Sequence, residues 1–304
     1  RNVTGVQTCA LPICMNQGLG IENKFDVSGP ARIDLTFNRS CNLACRICGP
    51  ESSTYWEKHL RENNLYSKEI ETESGAAEVI AVLSKLNLSN LKMLVFCGGE
   101  TLLGQEYWKV SEWLGDNVPG AKENLTLCFQ TNGTQPISPR NYKTIEKFFL
   151  VKLHISLDGI EKQFEYMRWP ASWQQVTDNI LDLKNNAPSN VMFLVEETLS
   201  IFNLASSHRL DTWVKENFTT NREGDIVNHT RHIARDMFGL SSLSIEYAEY
   251  LKNTAYSNLI NFDFKENASA IRIALSEIEK FDRIRGESFH SVFPEATSFY
   301  QRFQ

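Results

Sequence analysis

Asn38-Arg39-Ser40-Cys41-Asn42-Leu43-Ala44-Cys45-Arg46-Ile47-Cys48 follows directly on the apolar stretch Ile33-Asp34-Leu35-Thr36-Phe37. This short apolar stretch belongs to a strand candidate at 32–37, so C-x3-C-x2-C places three thiols on one tight loop beyond a strand end. A structural zinc site takes four ligands. The nearest histidine, His59, lies eleven residues on in a helical stretch. Cys97 and Cys128 could supply a fourth ligand only from inward-facing strand ends. An iron–sulfur cube accepts three thiolates and leaves one iron open to a small molecule. The odd ligand count therefore points to an open metal position, with a zinc knuckle or unligated buried thiols as the bland alternatives.

Downstream, apolar runs at 91–96, 124–130, 150–157 and 190–199 alternate with segments of three-to-four spacing at 76–86, 105–116, 140–148, 172–185 and 206–217. Strands alternating with helices specify a parallel sheet of βα units. Five or six units over roughly 200 residues fall short of the about 250 of a closed eight-fold barrel. The expected fold is α/β: a partial, open (β/α)6 TIM-like barrel over residues 31–220, with a lead-in at 15–30. An irregular, partly helical C-terminal appendage is expected over 221–304, with a sixth strand near 223–228 and amphipathic helices near 242–253 and 264–281. No internal repeat is evident.

The 304 residues are 42% hydrophobic and carry a formal charge of −6. That is enough apolar content for a sizeable core, and the acidic balance gives no basic footprint for nucleic acid. No apolar run reaches the 18 or more residues of a spanning helix, so no membrane partner is expected, and a cytoplasmic, reducing setting suits the free thiols. Residues 1–14 resemble a translated sequencing adapter in Val3-Thr4-Gly5-Val6-Gln7-Thr8-Cys9-Ala10-Leu11-Pro12-Ile13. They are treated as extraneous, which sets Cys9 and Cys14 aside and makes Met15 an internal residue. Cysteines 41, 45, 48, 97 and 128 remain.

The chemically suggestive residues fall at strand ends. Cys97-Gly98-Gly99-Glu100 ends the second strand, Thr131-Asn132-Gly133 the third, and Ser156-Leu157-Asp158-Gly159 the fourth. In βα barrels the functional face is the C-terminal edge of the strands, so these turns are expected to share a site. Each has a plain reading too. Glycines serve strand-to-helix turns, Thr-Asn-Gly is an ordinary turn, and Ser156 and Asp158 suit caps. Beside a metal loop, Gly98 and Gly99 would let backbone approach a ligand's ammonium, with Glu100 adding negative charge. Arg168, between aromatic residues in Tyr166-Met167-Arg168-Trp169-Pro170, has a guanidinium suited to carboxylate capture. His154 reads as a core or site-wall histidine.

Together, C-x3-C-x2-C after the first strand and Gly-Gly-Glu after the second, in a βα frame, resemble the radical SAM superfamily over about residues 30–217. The resemblance implies a 4Fe-4S cluster on Cys41, Cys45 and Cys48, its fourth iron chelated by S-adenosylmethionine. It further implies reductive cleavage of the sulfonium to a 5′-deoxyadenosyl radical that takes a hydrogen from a small-molecule or peptide substrate, with a donor such as flavodoxin or ferredoxin supplying the electron. Gly98, Gly99 and Glu100 would hold the methionyl ammonium. Asn132, Ser156, Asp158, Arg168 and Asn203 would serve the rest of the cofactor: Ser156 the ribose, Arg168 the carboxylate and Asn203 the adenine side. Ile47 departs from the pattern, since that position is often aromatic and packs near the adenine. Cys45 to Ser53 and Glu165 to Pro170 are similar to twitch-domain-containing members. Cys128 is the last cysteine, so any auxiliary cluster would have to come from upstream sequence. A carboxy-deazaguanine-synthase-like or activase-like enzyme, a catalytically degenerate barrel and a zinc-stabilised binding module are the alternatives.

Overall fold

The computed structural model describes residues 6–7, 29–65, 74–218, 229–234, 237–259 and 264–303. Six strands, β2 (Arg32–Thr36), β3 (Met93–Cys97), β4 (Thr126–Thr131), β5 (Leu150–Ser156), β6 (Val191–Leu199) and β7 (His229–Ile233), run parallel in chain order. The order is linear, so the sheet is an open partial barrel. The strand expected near 223–228 lies outside the described residues. A two-residue strand, β1 (Val6–Gln7), falls in the stretch read as extraneous and pairs antiparallel with β2.

Register explains why these segments assemble. Ile33, Leu94, Leu127, Val151 and Val191 are successive partners across five strands, and so are Leu35, Phe96, Phe129, Leu153 and Phe193. All ten are buried, and at about 1.5–3 kcal/mol for each side chain removed from water these rows dominate sheet assembly. Because side chains alternate along a strand, the residues between them turn to the inner face: Asp34, Val95, Cys128, Lys152 and Met192 form the intervening row.

The connections are helical: α1 (Thr54–Glu62) and α2 (Ala76–Leu83), α3 (Glu106–Asn117) and α4 (Ala121–Asn124), α5 (Pro139–Ile145), α6 (Glu161–Met167) and α7 (Trp173–Asn186), then α8 (Ser207–Asn217). Serine N-caps start three of them, with Ser53, Ser138 and Ser172 accepting from Trp56, Asn141 and Gln175 amides, as helix starts with orphan N–H groups favour. After β7 come α9 (Ile245–Lys252), α10 (Ala268–Arg285), α11 (Phe289–Val292) and α12 (Pro294–Ser298). These do not pack as a separate body. Their core joins Tyr247, Ile271, Ile278, Phe289, Phe293 and Tyr300 to Tyr166, Met167 and the stretch Leu199–Ala205 at the barrel's C-terminal rim. No helix among the described residues is long and apolar enough to cross a membrane.

Candidate functional site

Beyond β2 the cysteine loop is held by its own backbone groups. The carbonyls of Leu43, Ala44 and Cys45 accept from Ser53 Oγ (2.6 Å), Arg285 Nη2 (3.0 Å) and Trp56 Nε1 (2.8 Å). The amides of Ala44 and Arg46 donate to Trp169 O and Met167 O, both at 2.7 Å. Buried backbone groups need partners, and here α1, α10 and the segment after α6 provide them. The loop's backbone is therefore tied down by groups of the chain itself.

Cys41, Cys45 and Cys48 face one cavity of about 550 Å³ at the C-terminal ends of the strands, together with Gly98, Gly99, Asn132, Ser156 and Arg168. Burial, and then Cys45 beside it, push the Cys41 thiol up to about 11. A hydrogen bond between Cys45 and Cys48, followed by burial, holds Cys45 well above the usual thiol value, and the same hydrogen bond draws Cys48 below it. Thiolate ligation would therefore release protons on metal uptake. No group of three or more His, Cys, Asp and Glu side chains among the described residues is arranged to hold a single metal ion. A cuboidal cluster takes each thiolate on a different iron, so its donors need not converge on one point.

The Gly-Gly-Glu turn packs on this loop. Gly99 N donates to Asn38 O at 3.1 Å and Glu100 N to Ser40 O at 2.8 Å. Gly98 has φ +126°, and a Cβ there would lie 2.2 Å from Asn38 O; one on Gly99 would lie 2.2 Å from Ser40 O. The two glycines thus allow loop to meet loop, a structural demand in addition to the ligand approach expected from sequence. Glu100 is buried and braces the neighbouring turn: Oε1 accepts from Leu102 N (3.0 Å) and Thr131 Oγ1 (2.7 Å), and Oε2 from Asn132 N (2.6 Å). Burial raises its pKa against those three hydrogen bonds. Asn132 in turn places Nδ2 3.1 Å from Asn42 Oδ1 and 3.8 Å from Cys41 Sγ.

Arg168 reaches the same cavity from the end of α6. Its Nη2 lies 2.7 Å from Asp158 Oδ2 and its Nη1 4.0 Å from Cys45 Sγ. Burial works against the charge, but Asp158 and the cysteines outweigh it and keep the guanidinium cationic. Its Nε is buried without a hydrogen-bond partner, an orphaned donor on a cation at the cavity wall. Asp158 is fully buried, receives Thr198 N at 2.8 Å, and acts on the cavity through Arg168. Asn203 does not reach the cavity lining. It ties Asp158 O (3.2 Å) and Thr198 O (3.0 Å) together and accepts from Ser200 N.

Glu196, Thr198 and His232, with Gln130, Ile233 and Ala234, also line the cavity and are not among the residues the sequence singles out. The signal was present in β6, where buried and half-buried residues alternate; parity with Ser156, the register partner of Glu196, puts Glu196 on the inner face. His154 Nδ1 lies 2.6 Å from Glu196 Oε1, and that contact lowers the Glu196 pKa against its partial burial.

Among solved structures, the AdoMet-bound structure of hexahistidine-tagged anSMEcpe matches with a TM-score of 0.50 and 18% identity, over 76% of this chain and 58% of its own. Streptococcus suis SuiB bound to precursor peptide SuiA matches with a TM-score of 0.45 and 12% identity, over 88% of this chain and 52% of its own. The chain thus spans between half and three fifths of the length of these solved proteins. None of the curated proteins matches. The radical SAM superfamily signature matches residues 35–201, from within β2 to just past β6 and more than half of the 304 residues. With this match laid over the open parallel sheet and its cysteine loop, the chain belongs to the radical SAM superfamily.

Proposed function

We propose that the protein is an enzyme that holds a 4Fe-4S cluster on Cys41, Cys45 and Cys48 and binds S-adenosylmethionine against it. The observation that carries this reading is the meeting of three thiols, a glycine-glycine turn and a buried arginine on one cavity wall. When bound, the cluster and S-adenosylmethionine supply one-electron cleavage of the sulfonium and a 5′-deoxyadenosyl radical for hydrogen abstraction.

The chain's own residues position and shield. Arg168, held charged by Asp158, lines the cavity and would meet an anionic group such as the methionyl carboxylate there. The turn carrying Gly98 and Gly99 presents backbone groups to the ammonium, while Glu100 fixes the Thr131–Asn132 turn beside it. Ser156 and Asn132 offer neutral hydrogen-bonding groups to the sugar side. Leu43 and Ile47 cover part of the cavity with apolar surface, which excludes water from a reactive species. The substrate, a small molecule or a peptide, would enter along the inner face, where Gln130, Glu196 and His232 give a polar lining. A flavodoxin- or ferredoxin-type donor would supply the electron, in a cytoplasmic setting.

Anaerobic loading of the full chain tests this. About four irons per chain with broad visible charge-transfer absorption, and dithionite-dependent formation of 5′-deoxyadenosine, are expected. Cys45→Ala should lose both, because two thiolates remain for the cluster. Stoichiometric zinc with no iron uptake, or cleavage surviving in Cys45→Ala, would overturn the assignment.

A further inference from the structure

Of the two residues between Cys45 and Cys48, Ile47 lines the cavity and Arg46 does not. The Arg46 side chain is 2% exposed, and its Nη2 lies 2.6 Å from Asp282 Oδ1 and 2.7 Å from Glu287 Oε2. Its guanidinium carbon sits 4.0 Å from the centre of the Tyr166 ring, and Tyr166 Oη donates to the same Asp282 oxygen at 2.7 Å. The other Asp282 oxygen accepts from Phe289 N at 2.7 Å, which fixes the carboxylate on both sides. One turn of α10 further on, Arg285 donates to Ala44 O at 3.0 Å while its guanidinium lies over the rings of Trp56 and Trp169. Helix α10 therefore grips residues 44 and 46, one on each side of Cys45, across more than 230 residues of chain.

We propose that Asp282 and Glu287, gripping Arg46, form a latch through which the C-terminal helices position the cysteine loop and set the charge around the cluster. Arg46 is then a positioning residue for the cluster, and α10 is part of the cluster site. This rests on the reading that the three cysteines hold the cluster. A surface ion pair here would contribute little, but a buried one leaves an uncompensated charge when either partner is removed. That strain would fall on the loop carrying the thiols. The two ends of the latch carry opposite charge, and cluster potentials respond to nearby charge and exposure. Removing the cation should therefore lower the midpoint potential, and removing the anion should raise it.

The test compares wild type, Arg46→Gln and Asp282→Asn in the full chain. In iron-free protein, hydrogen exchange at the Ala44 and Arg46 amides should quicken in both variants, while amides of β4 and β5 keep wild-type protection. In loaded protein, iron loss to a chelator should quicken about ten- to hundredfold, as loss of outer-shell support does at metal sites. Optical redox titration should show shifts of opposite sign. Arg46→Lys, which keeps the charge but loses the fork, should retain the wild-type potential and recover iron retention only in part; it also serves if Arg46→Gln does not fold. Wild-type exchange and iron retention in both variants, or potential shifts of one sign, would overturn the latch. Failure of wild type to take up iron would instead overturn the cysteine assignment, while the iron-free exchange still reports on the latch.

Discussion

The two cores hold the same site by different means. The first lies on the outer face of the sheet, where register stacks Ile33, Leu94, Leu127, Val151 and Val191 into one row and delivers every strand end to one edge. The second sits at that edge and has an aromatic centre: the Phe202 ring lies within 6.0 Å of those of Tyr166, Phe238, Phe289 and Phe293. The first positions by repetition, so its products, the turns after β2, β3, β4 and β5, are evenly placed. The second positions by individual contacts between residues far apart in sequence. A βα sheet can thus deliver a ligand loop to the right edge while leaving its final shape to a later part of the chain.

Truncating each core should separate the two roles. Phe202→Ala, at a fully buried site, should cost about 3–5 kcal/mol in denaturant unfolding and lower hydrogen-exchange protection first at the Ala44 and Arg46 amides. Leu153→Ala, fully buried in the sheet, should cost about 2–5 kcal/mol and lower protection across all strands together. If the two variants give the same exchange pattern, the division into two roles is wrong. A smaller effect belongs to the seam between loop and sheet. Gly99→Ala would place a methyl 2.2 Å from Ser40 O and should cost about 1–3 kcal/mol, with weaker binding of S-adenosylmethionine measured by calorimetry on loaded protein. A wild-type melt in this variant would show that the seam has slack.

The smallest expected effect contrasts two neighbours on β6. Glu196 faces the cavity, and its hydrogen bond with His154 lowers its pKa. Glu197 faces α8, and burial raises its pKa despite His229, Ser207 and Arg231 around it. A lowered carboxyl adds stability that is present above its unfolded pKa and is lost as pH falls through the folded value; a raised one adds stability that is lost as pH rises through the folded value. Glu196→Gln should therefore flatten the loss of stability below the ordinary glutamate range, and Glu197→Gln should flatten the loss above it. Unfolding free energies measured across acidic pH would show slopes changed in opposite directions; changes of one sign would contradict the two environments.

Much of the sheet and the cysteine loop could be read in the sequence because both are local. Alternation marks a strand whatever packs on it, and the strands from 32 to 199 emerged within a few residues of their expected bounds. Strand order alone puts Cys41, Cys45, Cys48, Gly98, Gly99, Asn132 and Ser156 on one edge, the setting between aromatic residues singles out Arg168, and all eight line one cavity. The short helix α6 is not among the segments of helical spacing read from the sequence. Glu196 was hidden among residues that read simply as strand.

What the sequence determined by itself was the βα frame and the thiol loop at its edge, since both follow from spacing along the chain, and, through its cysteine and Gly-Gly-Glu motifs, a resemblance to the family. Only the tertiary structure decided that Glu100 braces a turn, that Asn203 ties β6 to Asp158 behind the cavity wall, and that Arg46 is held from α10. Those roles depend on which distant group lies within about 3 Å of a buried polar atom, and no pattern along the chain encodes that.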